Sequence, residues 1–168
     1  MLKKFTLIVA MIALPLAGMA QYKFAHMNSQ EVIAAMPEFT KAQADLEALA
    51  KQYQKELDTG QEELNRKYQD FLQQADSLPK NIADRRQKEI EDMAQRQQQF
   101  QQDASQAMQK AQEEAMTPIY QKLNEAVQAV GAAEGVIYIF DIALTPIRYI
   151  GDQSIDLTAK VKAQLGIK

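Results

Sequence analysis

The sequence holds one histidine, His26, and no cysteine, so the side chains that most often act as nucleophile, general base or metal ligand are nearly absent. His26 has no carboxylate cluster beside it in the sequence, and no triad or metal constellation can be read around it. The acid groups Glu62-Glu63, Glu89-Glu91-Asp92 and Glu113-Glu114 have the composition of a general acid and base couple. Each stands in heptad-spaced sequence with Lys or Arg three or four residues away, which is the pattern of a solvated helix face. The glycines are too few and too scattered to build a phosphate loop. The residues therefore predict no catalytic group, no cofactor and no metal, and the chain reads as a non-enzyme. Without cysteine there are also no disulfides, and packing or oligomerisation must hold the fold.

What the residues do supply is contact chemistry. Tyr53, Tyr68, Phe71, Met93, Phe100 and Met108 recur through a polar, glutamine-rich stretch. They suit a sparse, adaptable surface for apolar segments of another protein, methionine especially. Leu46, Leu49, Leu57, Leu64, Leu72, Ile82 and Ile90 read instead as the seam between two helices. Lys80, Arg85, Arg86 and Lys88 against Asp84 make a local charge of +3. Such a cluster is most simply a solvated tip, and it also suits weak contact with anionic lipid headgroups or lipopolysaccharide.

The elements that position these residues follow from charge and periodicity. Lys3 and Lys4 precede an apolar run from Phe5 to Ala17, and Gly18-Met19-Ala20 offers small residues at a cleavage site. Residues 1–20 are thus a secretory leader, predicted to be cut after Ala20. Its loss removes two lysines and no acids, leaving 17 basic against 22 acidic residues, a net of −5. An exported acidic chain is a poor partner for nucleic acid.

From Thr40 to Ala133 the sequence carries 19 glutamines, with Gly60, Pro79 and Pro118 as its helix breakers ahead of Gly131. Phe39, Ala42, Leu46, Leu49, Tyr53, Leu57, Gly60, Leu64, Tyr68, Phe71, Ala75 and Leu78 step by threes and fours, near the 3.5 period of a coiled-coil seam. A second stripe runs from Ile82 through Ile90, Met93, Phe100, Ala104, Met108, Ala111, Ala115, Ile119, Leu123 and Val127 to Val130. The turn at residues 77–81 between them is short, so the helices must pack antiparallel, with residue i opposite residue 157 − i. Thr117-Pro118 is expected to mark where the second helix leaves the hairpin. The spacing thus predicts an arm over 40–118 with its tip near 77–81.

The ends read differently. Tyr22 to Met27 is a strand candidate, followed by a short helix from Val32 to Met36 capped by Asn28 and stopped by Pro37. Gly131 and Gly135 bracket a break. Val136-Ile137-Tyr138-Ile139-Phe140 then reads as a buried strand, Ile147 to Ile150 as another, and Leu157 to Leu165 as a last helix capped by Asp156. The fold class is α+β and mostly helical, with residues 21–39 and 119–168 forming one small body. That body is marginal for a single core. Self-association is expected through Phe24, Val136 to Phe140, Tyr149 and Ile150, with strands joining across chains.

The order of leader, strand, Asn28-Ser29-Gln30-Glu31-Val32-Ile33 running to Pro37-Glu38, coiled-coil hairpin, Val136 to Phe140 and Asp156-Leu157-Thr158 resembles the Skp (OmpH) family of periplasmic chaperones. The resemblance covers the whole mature chain. It implies a homotrimer whose strands form a central β body, with three hairpins around a cavity. It further implies that unfolded outer-membrane β-barrel proteins are held there without ATP and kept from aggregating. One departure is chemical: well-known Skp proteins are basic, whereas residues 40–133 here carry 12 basic and 16 acidic groups, net −4. Apolar and glutamine contacts are therefore expected to dominate, with membrane contact confined to the tip. The competing reading is a structural adaptor of the cell envelope whose hairpin docks one fixed partner. A sparse glutamine-rich seam argues for adaptability over a fixed dock.

Overall fold

A computed structural model describes residues 22–167. The leader expected over residues 1–20 and its cleavage after Ala20 lie outside them. The elements are β1 (Phe24–Met27), α1 (Ser29–Ala35), α2 (Pro37–Gln74), a 3-10 turn (Ala75–Ser77), α3 (Lys80–Glu134), β2 (Tyr138–Asp141), β3 (Ile155–Asp156) and α4 (Thr158–Gln164). The chain is mostly helical, with a small parallel sheet, and α2 and α3 pack as a hairpin. Two compact units result, one of residues 22–35 and 122–167 and the other Met36–Gln121.

In the second unit, α2 runs 38 residues, about 57 Å at the usual helical rise. It starts where it does because Pro37 forces Met36 into an extended conformation, φ −75 and ψ 127. The same constraint ends α1 at Ala35, one residue short of the expected Met36, while α1 opens three residues earlier than expected because Asn28 Oδ1 accepts the Glu31 N–H at 3.1 Å. Almost every residue of the first apolar stripe is half-buried, and Ala42 is buried. Tyr68 is the exception: it is 48% exposed, and its neighbour Lys67 takes the half-buried place.

The second helix is not interrupted at Thr117-Pro118. α3 continues for 55 residues with Pro118 inside it. The missing donor falls on the exposed side, and the Thr117 hydroxyl donates to the Glu113 carbonyl at 2.7 Å beside the gap. Nor do two glycines break the chain. Gly131 stays helical, and Gly135 alone, at φ +63, turns it.

In the first unit the sheet order is β2-β1-β3, all parallel, with Phe24 opposite Tyr138, His26 opposite Phe140 and His26 opposite Asp156 on the other side. Ala25 and Met27 are buried with Val32, Ile33, Leu157 and Val161. Two strand expectations need correction. Val136 to Phe140 is not a uniformly buried strand: pairing begins at Tyr138, and Ile137, Tyr138 and Phe140 are exposed. Ile147 to Ile150 is no strand in the single chain, because Pro146 has no N–H and the Ile147 N–H is spent on Thr145 O at 2.7 Å. The third strand is Ile155–Asp156 instead.

Candidate functional site

The fold brings Ser154 and Asp156 to the lone histidine, which corrects the expectation that His26 is isolated. His26 Nδ1 lies 2.9 Å from Ser154 Oγ, and Nε2 lies 4.0 Å from Asp156 Oδ2. These are the residue types of a hydrolytic triad, but the carboxylate stands too far from Nε2 to orient the ring by a hydrogen bond. Asp156 is committed elsewhere. The Thr158 hydroxyl and amide hold its carboxyl below the usual aspartate range, and the amide donates to Oδ1 at 2.9 Å. Thr158 Oγ1 in turn accepts the Asn28 N–H at 3.1 Å, and the Leu157 N–H donates to His26 O at 2.9 Å. The group works as a buckle joining β3 and α4 to β1.

Asp141 is a second buckle that the sequence did not reveal. Its Oδ1 accepts the Ser29 N–H at 3.1 Å and the Ala143 N–H at 3.0 Å, capping α1 from a strand 112 residues away in the chain. Ion pairs finish this unit, Lys162 with Glu31 at 2.6 Å and Lys160 with Glu134 at 2.6 Å.

The hairpin unit holds the residues expected to make contacts, and it treats them unequally. Tyr53 and Phe100 meet across the seam with centroids 6.0 Å apart and planes at 60°. Met93, Met108 and Phe71 are half-buried at the same seam, so of the six only Tyr68 is an exposed side chain. Clefts flank the seam instead of a filled core. One of about 590 Å³ is lined by Phe39, Leu46, Met116 and Tyr120, and another of about 300 Å³ by Leu46, Leu49, Ala111 and Ala115. Facing positions sum to about 157, as in Ala42 beside Ala115 and Gly60 beside Gln97.

Near the turn, Lys80, Arg85 and Lys88 are exposed, while Arg86 is half-buried and donates to Gln74 Oε1 at 2.8 Å. Arg86 shares a cleft of about 350 Å³ with Arg66, Phe71 and Ile90. Lys67 bonds Glu89 across the hairpin and holds that carboxyl below the usual glutamate range. The acid pairs expected on solvated faces are exposed.

On the sheet unit, Phe24 stacks on Tyr138 at 6.4 Å, and Tyr138 meets Phe140 at 6.1 Å. All three are exposed, as are Ile137, Tyr149 at 84% and Ile150, while Val136 and Ile139 are half-buried. The strand alternation explains the pattern: Phe24, Tyr138 and Phe140 share the sheet face opposite Ala25 and Met27. No group of His, Cys, Asp and Glu suited to a metal ion occurs among the described residues.

Residues 23–165 match the family described as outer membrane protein (OmpH-like). The chain belongs to the OmpH-like family. This is the Skp family of outer membrane chaperones, which are not enzymes. A crystal structure from Caulobacter crescentus CB15, described as an OmpH-like outer membrane chaperone, superposes with a TM-score of 0.75 at 18% identity. The match covers 88% of this chain and 86% of that one, and it shows a shared fold. No curated protein matches. Among the described residues no helix of this OmpH-like chain is long and apolar enough to cross a membrane.

Proposed function

We propose that this OmpH-like chain is an ATP-independent holdase of the periplasm that binds unfolded outer-membrane β-barrel proteins and prevents their aggregation. The observation that carries the reading is the hairpin of a chaperone-family chain: a long seam lined by clefts, in which half-buried Tyr53, Phe71, Met93, Phe100 and Met108 and exposed Tyr68 are set among glutamines. An unfolded barrel strand offers alternating apolar residues. Many weak contacts block its pairing with other strands without fixing one conformation. Release then needs only that the client's own folding be more favourable. The arm, residues 40–118, is the holding element, and the exposed cations Lys80, Arg85 and Lys88 with Arg86 offer a weak contact for anionic lipid or lipopolysaccharide.

Assembly rests on the sheet unit. Phe24, Tyr138 and Phe140 form an exposed aromatic face, Ile137, Tyr149 and Ile150 are exposed as well, and β2 presents an outer edge. The segment Ile147 to Ile150, unpaired in the single chain, supplies a strand for the edge of a neighbouring chain, and three chains close the body. Export through the leader at residues 1–20 places the protein in the periplasm.

Native mass spectrometry of residues 21–168, alone and after dilution of a denatured outer-membrane barrel protein into it, tests the whole reading. A trimer converting to a 3:1 complex is the expected result. A stable assembly that ignores the client would overturn the holdase reading in favour of an adaptor with one fixed partner.

A further inference from the structure

The apolar stripe of α3 skips a helical turn between Met93 and Phe100, and the residue that fills the gap is Gln97. Gln97 is half-buried at the seam. The position facing it on α2 is Gly60, so at this level a side chain of one helix meets the main chain of the other. Gln97 Nε2 donates to the Leu57 carbonyl at 2.7 Å, a part-buried bond between the two helices. A carbonyl oxygen within a helix keeps a second lone pair for such a donor. A Cβ at Gly60 would lie 3.0 Å from Gln97 Cδ and closer still to its Oε1, so any side chain at residue 60 would displace the carboxamide from this position. Gln97 also lines clefts of about 490 Å³, beside Leu57 and Leu64, and about 200 Å³, beside Met93 and Phe100.

We infer that Gly60 and Gln97 form a polar latch that sets the register of the hairpin. A seam of Leu, Ala and Met discriminates poorly between alignments one turn apart, because its layers are alike in size and none demands a specific partner. The latch breaks that degeneracy. Sliding α3 by one turn would press the Gln97 carboxamide against a Leu side chain and cost the part-buried amide its carbonyl partner. Glycine is the chain's means of marking the one level where the amide can reach a carbonyl.

The sequence has no cysteine, so paired cysteines report register without background. Lys67→Cys with Glu89→Cys samples the observed alignment, and Lys67→Cys with Arg85→Cys samples an alignment one turn away. In the otherwise unchanged full chain, only the first pair is expected to cross-link within one chain. In Gly60→Ala/Gln97→Leu, where the layer becomes ordinary and apolar, the second pair should cross-link with comparable yield while helicity by circular dichroism is retained. A double variant that still cross-links only through the first pair overturns the proposal. The unsubstituted chain gives an independent reading: the Gln97 side-chain amide protons should exchange at least about tenfold more slowly than those of its exposed neighbours Gln98 and Gln99. Equal exchange rates would also overturn it, whatever the variants do.

Discussion

His26 shows how a lone functional-looking residue is absorbed by structure. Its ring bridges towards Ser154 and Asp156, and its backbone carbonyl accepts from Leu157, so that a two-residue strand and a seven-residue helix are held to β1. The consequence for pH comes from Asp156, whose carboxyl is held below the usual range chiefly by the Thr158 hydroxyl and amide. A depressed folded-state value means the stabilisation is present above the ordinary aspartate range and is lost as pH falls through the folded value. Asp156→Asn should therefore flatten the acid limb of a stability–pH curve measured by urea denaturation, by lowering stability at neutral pH while leaving the acid end little changed. Asp141→Ala removes the acceptor for two backbone donors, Ser29 and Ala143. It is expected to cost about 1–2 kcal/mol in the same measurement.

At the scale of elements, the two apolar stripes and the short turn made the hairpin legible before any coordinates, because a 3.5-residue period over eleven steps leaves few alternatives. Its seam was less legible where polar residues occupy it. Lys67, Arg86 and Gln97 are half-buried at positions that an apolar count passes over, and Tyr68 is pushed outward. Long amphipathic stems let Lys and Arg do this at little cost. Pro118 is a helix breaker by type, yet α3 runs through it. Proline removes one donor and strains one turn without ending a helix that is held on both sides. Pro118→Ala restores an N–H for the Glu114 carbonyl, and thermal or chemical denaturation should show a gain of roughly 1–3 kcal/mol. No gain would mean that neighbouring packing depends on the proline.

At the scale of the whole molecule, the exposed aromatic face of the sheet and the acidic hairpin make separate predictions. Tyr138→Asp with Phe140→Asp places two charges on the outer face while sparing half-buried Ile139, which packs against Gly131. The chain should then run as a monomer by native mass spectrometry with its helical circular dichroism unchanged. A variant that still assembles would move the association surface elsewhere. Client holding by residues 40–133, which are net −4, should respond weakly to salt between about 0.05 and 0.5 M, because apolar contacts are not screened as charges are. A steep loss of complex with salt, followed by light scattering of the aggregating client, would return charge to the leading role.

Periodicity, the missing cysteines and the near absence of histidine determined a great deal without a structure: a long antiparallel hairpin, an α+β remainder and no equipment for catalysis. These follow from local rules, since helical period and side-chain chemistry are properties of neighbouring residues. The tertiary structure alone decided which strand is third, that Asp141 caps α1, and that Gln97 meets a carbonyl beside Gly60. Each of these joins residues at least 40 positions apart or depends on competition for one edge of β1. Ile147 to Ile150 has better strand composition than Ile155–Asp156, but Pro146 has no N–H and the Ile147 N–H is spent on Thr145 O, while Asp156 lies in register with His26. Composition states what a segment could do, and pairing is granted to the segment whose backbone can reach.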